Sequence, residues 1–212
     1  MMMLLLLALS FAAGIITQSV GLVGKEVVTS REVQMAATID KIINSTGSNK
    51  VNSIFEVQPK DLRFAELTTT YLLERAAVME GESFSVGLEI EDEIKAAMAQ
   101  IEKATQGKSY WQSLDPDTNT VKKITATKLI SRNFIKLRSE SMTGVMTDAE
   151  AQAYFQKNRL KFGTATFESF KENIKVFLAQ QQKEEKLRSW FELLKKKYKI
   201  RNLLIENAKT PQ

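Results

Sequence analysis

The chain has 212 residues, 43% apolar and 26% charged, enough to bury a real core as one domain or one domain with an extension. Thirty basic and 25 acidic residues give a formal charge of +5, but the signs are interspersed, which describes an ordinary soluble surface more than a nucleic-acid footprint. Neither Cys nor His occurs, which excludes thiol nucleophiles, disulfides, Cys/His zinc sites and every His-dependent triad. Acid–base chemistry would rest on Asp, Glu, Lys and Tyr, none with an unperturbed pKa near neutrality, so the chain is expected not to be an enzyme and to carry no cofactor and no metal.

Residues 1–16 (MMMLLLLALSFAAGII) are almost wholly apolar, and no charged side chain precedes Lys25. Residues 1–19 resemble a secretory signal peptide, with small residues at Ser10, Ala12, Thr17 and Ser19 offering cleavage patterns, although the usual basic n-region is missing. The alternative is an uncleaved anchor, since the run falls just short of the roughly 20 residues a spanning helix needs. After it, SVGLVGKEVV has short β-branched runs around Gly24-Lys25 and predicts a hairpin over residues 20–28. Thr29 and Glu32 then fit a capping box, opening a helix that should run to Asn44. Its apolar side is Val33, Ala36, Ile39 and Ile43.

The polar run 44–50 predicts a loop, residues 51–57 an extended segment before Pro59, and residues 61–79 a second helix apolar on two faces. Leu62, Ala65, Leu72, Ala76 and Met79 make one face, and Phe64, Leu67, Tyr71 and Val78 the other, the pattern of a central helix. Ile90, Ile94, Ala97, Met98 and Ile101 stripe a third helix. Its acidic start (EIEDE, residues 89–93) lacks the glycine and alternating oxygens of a calcium loop and suits a helix N-terminus instead. SYWQSL, residues 109–114, is expected to form a short aromatic turn ended by Asp115-Pro116. A fourth helix should span residues 118–138, and a second capping box, Thr147 with Glu150, should open a fifth running to Leu160.

The stretch 166–207 predicts one long helix over residues 167–199, carrying Phe170, Ile174, Phe177, Leu178, Leu187, Trp190, Phe191, Leu194 and Tyr198 on one face. Its middle, AQQQKEEK, has little to bury and should be solvated between two packed ends. The basic run KKKYKIR, residues 195–201, suits the negative end of a helix dipole better than a phosphate contact. Residues 200–206 (IRNLLIE) are expected to form a strand. Neither it nor the first hairpin is stable alone, so the two ends of the chain should pair in one small sheet.

Taken in order, LVGKEVVTSREV, TDAEAQAYFQKNRLKFG and SFKENIKVFLAQQQKEEKLRSWFELLKKKYKIRNL resemble the SurA-like and PrsA-like family of periplasmic chaperones. In that family a parvulin-type prolyl isomerase domain stands between the last two segments, whereas here only residues 163–166 separate Phe162 from Phe167. The resemblance therefore implies a mainly α, multi-helix chaperone module with a small sheet joining its terminal strands and one long C-terminal helix, without isomerase activity. It divides the chain into residues 1–19 as signal peptide, 20–165 as helical module, 166–207 as the helix and strand that complete it, and 208–212 as a tail. The implied function is an ATP-independent holdase for unfolded or extended segments of envelope proteins, located in the periplasm. No Gly-x-x-x-x-Gly-Lys nucleotide loop occurs. The alternative is a structural or adaptor subunit of an envelope complex. Nucleic acid is not expected as a partner, and the membrane is expected nearby only through an uncleaved N-terminus.

Large aromatic and Met side chains offer adaptable contact area to many sequences. The candidate client-binding residues are Phe64, Tyr71, Met79, Met98, Tyr110 and Trp111; taken singly each suits the core better, and Tyr110 and Trp111, beside a polar loop, are the first choices among them. A concave client surface is expected between two lobes, facing the polar stretch 180–186.

Overall fold

The computed structural model describes residues 17–45, 56–84 and 90–209. The expected signal segment, most of the 44–50 loop, most of the 51–57 extended segment and Glu89 lie outside these residues. The chain is mainly helical, with a small three-stranded antiparallel sheet and a long C-terminal helix.

Strand β1 (Ser19–Val23) turns through Gly24-Lys25 into β2 (Glu26–Thr29), with Val23 opposite Glu26. Gly24 has φ 60° at the first position of this two-residue turn, where a type II′ hairpin demands glycine. Thr29 closes the strand and caps α1 (Ser30–Asn44): its Oγ1 accepts from the Glu32 amide at 3.2 Å, and Glu32 Oε2 accepts from the Thr29 amide at 2.8 Å.

Helix α2 (Phe64–Ser83) packs against α1, β1, the closing strand, and the later helices α5 (Thr118–Ser141) and α7 (Phe167–Lys197), so it is central, as its two apolar faces imply. It starts three residues later than expected. Asp61 accepts from the Gln58 amide at 2.7 Å through its carboxylate, and its carbonyl accepts from the Phe64 amide at 2.9 Å, so residues 58–63 wind into a turn. Leu62, assigned to a helix face by its spacing, is instead fully exposed there at 101%.

Helix α3 (Glu91–Thr105) buries Ile94, Ala97 and Ile101, and its acidic residues occupy the first turn. The aromatic turn is one turn of helix, α4 (Ser109–Ser113). Asp117 then caps α5, accepting from the Thr120 amide at 2.9 Å. The main core gathers Val20, Val23 and Val28 of the hairpin, Val33 and Ile39 of α1, Phe64, Tyr71 and Leu72 of α2, and Ile124 of α5. Each such side chain, fully buried, contributes roughly 1.5–3 kcal/mol.

The body also holds buried charge. Lys128, on α5, pairs with Glu74, its Nζ 2.9 Å from Oε1 and 2.7 Å from Oε2, with Asp40 3.7 Å away. Glu74 Oε2 gains charge pairing there without an aligned hydrogen bond. Arg75 is buried against Glu26 and Glu32. Tyr71 lies between the two clusters; burial above all, then the Glu32 carboxylate, holds its hydroxyl far above the ordinary phenol range.

Beyond α5 the chain leaves the body. Helix α6 (Asp148–Lys157) begins at the second expected capping box, Thr147 with Glu150, and a 3₁₀ turn over Arg159–Phe162 ends it before Leu160, short of the expected boundary. It packs against the front of α7 as a two-helix arm with its own small core of Ala151, Phe155 and Ile174. Six aromatic rings interlock there, Phe155–Phe162 at 4.7 Å, Phe162–Phe170 at 5.4 Å, Tyr154–Phe177 at 5.5 Å and Phe155–Phe167 at 5.7 Å among the contacts.

Helix α7 runs 31 residues, about 46 Å at 1.5 Å per residue. Ile174 is buried in the arm, Trp190 and Leu194 in the body, and nothing between Leu178 and Leu187 is buried, as the polar middle implies. Trp190 meets Phe134 edge-on at 6.0 Å. The helix ends in a Schellman motif, with the Ile200 amide donating to the Lys195 carbonyl at 2.9 Å, the Lys199 amide to the Lys196 carbonyl at 3.3 Å, and Lys199 at φ 48°. Glu80 of α2 receives both the Lys197 ammonium and the Tyr198 hydroxyl at 2.6 Å, and the Tyr198 carbonyl accepts from the Gly24 amide at 2.7 Å. The basic run thus completes a helix terminus.

The ends of the chain pair as expected, in the order β2-β1-β3, with Gly21 opposite Asn202 and Leu22 opposite Arg201. The closing strand β3 is much shorter than residues 200–206, however: it is Arg201–Asn202, followed by helix α8 (Leu203–Lys209). Asn202 decides this. Its Oδ1 accepts from the amides of Leu204 at 3.1 Å and Ile205 at 3.3 Å, an N-cap that turns the backbone out of the sheet. Its Nδ2 meanwhile donates to the Ala65 carbonyl at 2.7 Å and Thr69 Oγ1 at 2.8 Å, fastening the junction to α2.

Candidate functional site

The six candidate residues separate on burial. Phe64 and Tyr71 are 1% and 2% exposed and belong to the main core. Tyr110 is also buried and fully used: its hydroxyl donates to the Val57 carbonyl at 2.9 Å and accepts from the Val57 amide at 3.1 Å. Gln34 Nε2 reaches the same carbonyl at 2.8 Å, and burial pushes the Tyr110 hydroxyl above its ordinary value. This ring pins the segment before Pro59 to α1 and α4. Met79 is 36% exposed on α2 and does not line the cavity that holds Met98 and Trp111. Only Met98 and Trp111 come together.

They line an open cavity of about 460 Å³ formed by α3, the loop after α4 and the start of α5. Met98, Ile101, Trp111, Pro116 and Val121 give it an apolar wall, and Lys95 and Glu102 stand exposed at its rim. Thr125 Oγ1, which donates to the Val121 carbonyl at 2.8 Å, lies 3.6 Å from Met98 Sδ. The cavity continues in both directions. On one side a space of about 550 Å³ shares Ala99, Glu102, Thr105 and Trp111 with it and extends to Gln106, Gly107 and Gln112. On the other, across Pro116, a space of about 370 Å³ is bounded by Arg31, Glu32, Asp115 and Asp117.

Local chemistry fixes this relief. Asp115 has φ 47° before Pro116, a conformation that throws the α4–α5 connection outward. Arg31 holds it there, donating to the Leu114 carbonyl at 3.4 Å and Asp115 Oδ2 at 3.3 Å. Hydrogen bonds from Thr120 keep Asp117 ionised, its pKa lowered, at the start of α5. The result is a furrow with an apolar centre and polar, charged ends, Glu102 and Lys103 on one side and Arg31, Glu32, Asp115 and Asp117 on the other. A furrow of this kind suits an extended chain that presents one large apolar side chain at its centre. Among the described residues no group of three acidic side chains could hold a metal ion.

Ala99, Thr105 and Pro116 were not anticipated as lining residues. Pro116 was visible in the sequence as a breaker, but its second role, as the ridge between two cavities, depends on the positive φ of Asp115. The expected concavity facing residues 180–186 is partly filled. Lys186 Nζ donates to the Met142 carbonyl at 3.2 Å and Gln182 Oε1 at 3.0 Å, so the polar middle of α7 supports the elbow that leads into α6. A cavity of about 360 Å³ lies beside it, lined by Asp40, Glu74, Lys128, Arg132, Ile135 and Leu187 among others. No described helix is long and apolar enough to cross a membrane.

No protein-family model, no curated protein and no solved structure matches the chain.

Proposed function

We propose that the protein is an ATP-independent holdase of the periplasm that binds extended segments of unfolded envelope proteins along the furrow across α3, α4 and α5, without prolyl isomerase activity. The observation that carries this reading is the continuity of three cavities past Met98, Trp111 and Pro116. A client residue with a large apolar side chain sits at the centre, and its flanking backbone lies over Thr105 and Gln106 on one side and beside Arg31 and Asp117 on the other. Met and Trp accept many side-chain shapes with little discrimination, the property a holdase needs. The family resemblance of the terminal segments supports the same reading.

The test is suppression of aggregation of an unfolded outer-membrane protein on dilution from denaturant. The protein should suppress light scattering at several-fold excess, with no requirement for nucleotide, and Ala99→Trp, which fills the furrow from an exposed helix position, should abolish the effect while leaving the far-ultraviolet circular dichroism unchanged. No suppression at several-fold excess would sink the proposal. Capture of one stoichiometric envelope partner, with no binding to assorted unfolded chains, would establish the adaptor reading in its place.

A further inference from the structure

The furrow does not involve the α6–α7 arm. The arm's tip is the 3₁₀ turn Arg159–Phe162 between α6 and α7. Leu160 stands there 99% exposed, with Arg159 and Lys161 beside it and Lys157 one turn earlier, all exposed. No acidic residue occurs between Glu150 and Glu168. The arm's other carboxylates are engaged: Asp148 pairs with Lys171 and Lys175, Glu172 with Lys175, and Glu150 closes the capping box. Glu168, in the first turn of α7, is the one carboxylate near the tip, against three cations. Arg159 lies over the Phe155 ring at 5.0 Å, which holds its guanidinium at the surface of the aromatic cluster, and neither Lys157 nor Lys161 makes an ion pair among the described residues.

A fully exposed Leu framed by cations without ion pairs, above an aromatic cluster, is complementary to one kind of surface. Cations meet anionic headgroups while the apolar side chain enters the interface beneath them. A protein partner would be expected to bury the Leu in a pocket with matching carboxylates; a bilayer needs only negative charge and an apolar layer of no fixed shape. We propose that the tip of the α6–α7 arm docks on an anionic lipid surface, through Lys157, Arg159 and Lys161, with Leu160 inserted. The proposal does not depend on the furrow binding clients.

Because the chain has no Cys, Leu160→Cys creates a single labelling site for an environment-sensitive fluorophore such as nitrobenzoxadiazole. A control label goes on Lys123→Cys, an exposed position of α5. The full-length labelled protein is mixed with vesicles of phosphatidylcholine alone, or of phosphatidylcholine with roughly a third phosphatidylglycerol. Emission at residue 160 should rise several-fold and shift to the blue on the anionic vesicles only, with no change at residue 123. Arg159→Glu with Lys161→Glu should weaken the response by roughly tenfold or more, and added salt should weaken it in the native sequence. The readout is local to residue 160, so vesicle association through the apolar run 1–16 does not count toward it. An unchanged signal at residue 160, an equal signal on neutral vesicles, or a shift caused by an unfolded polypeptide and not by vesicles would overturn the proposal, the last by making the tip a protein contact.

Discussion

Gly21 is where β1 passes between β3 and α2 with no room for a side chain. A Cβ there would lie 2.7 Å from Leu72 Cδ1, 2.9 Å from Cδ2 and 3.1 Å from the Arg201 carbonyl oxygen. Leu72 is fully buried and cannot simply rotate away, and the carbonyl belongs to the strand paired with β1. Gly21→Ala therefore forces either an off-rotamer Leu72 or a wider β1–β3 spacing, and overpacking of this kind costs about 1–3 kcal/mol. Leu72→Ala alone, a cavity in a tight core, should cost about 2–5 kcal/mol. The double variant tests the mechanism, because the new methyl enters space that the smaller residue vacates. Its cost should fall below the sum of the singles by about 1 kcal/mol or more. Urea unfolding followed by circular dichroism gives all three values. If Gly21→Ala is neutral, or if the two changes add, the close approach at Gly21 does not constrain the fold.

Lys199 holds a left-handed conformation at the end of α7 that glycine adopts without cost, so Lys199→Gly should stabilise the protein by about 1 kcal/mol, read as a raised urea midpoint. Burial pushes the Glu80 carboxyl up, but hydrogen bonds from Lys197 and Tyr198 outweigh it and leave the pKa lowered, so its stabilisation is present above the ordinary carboxylate range and is lost as pH falls through the folded-state value. Tyr198→Phe should cost about 1–2 kcal/mol at neutral pH and flatten the acid limb of a midpoint-versus-pH curve; an unchanged limb would refute the latch. At the buried pair, burial raises the Glu74 pKa and Lys128 opposes it, so Lys128→Met, which strands the carboxylate, should cost about 3–5 kcal/mol at neutral pH. Adding Glu74→Gln should recover most of that loss by thermal melting, and no recovery would show that the Lys128 stem, not its charge, matters.

The features legible in the sequence are those decided within a few residues. Thr29 with Glu32 and Thr147 with Glu150 could be recognised as helix starts because both partners of each box lie within one turn. Residues 200–206 could not be settled that way. A short apolar run fits a strand and a helix alike, and the arbiter, Asn202, caps α8 while its other amide atom is anchored on α2, 137 residues earlier in the chain. The candidate site shows the same division. Spacing places Met98 and Tyr71 on helix faces, but which face is covered depends on neighbours distant in sequence. Tyr71 is enclosed by two ion-pair clusters, whereas Met98 is left at the edge of a cavity that α3 shares with Trp111, Pro116 and the start of α5. Leu160 was expected to continue α6 and instead stands alone at the tip of a turn.

The strand order β2-β1-β3 puts the first strand of the described fold in the middle of its sheet and the last one on its flank. During synthesis β1 is consequently an edge, with Gly21 and Leu22 offering free amide and carbonyl groups, until Asn202 has left the ribosome. Nascent and C-terminally truncated chains share this open template, and strand addition by any extended polypeptide can occupy it. The partner β3 presents only two residues, so its hold on β1 comes chiefly from its surroundings: the Glu80 contacts, the Asn202 amide and the Gly24–Tyr198 hydrogen bond. A chain that lacks Arg201 and Asn202 therefore presents β1 as an open strand edge.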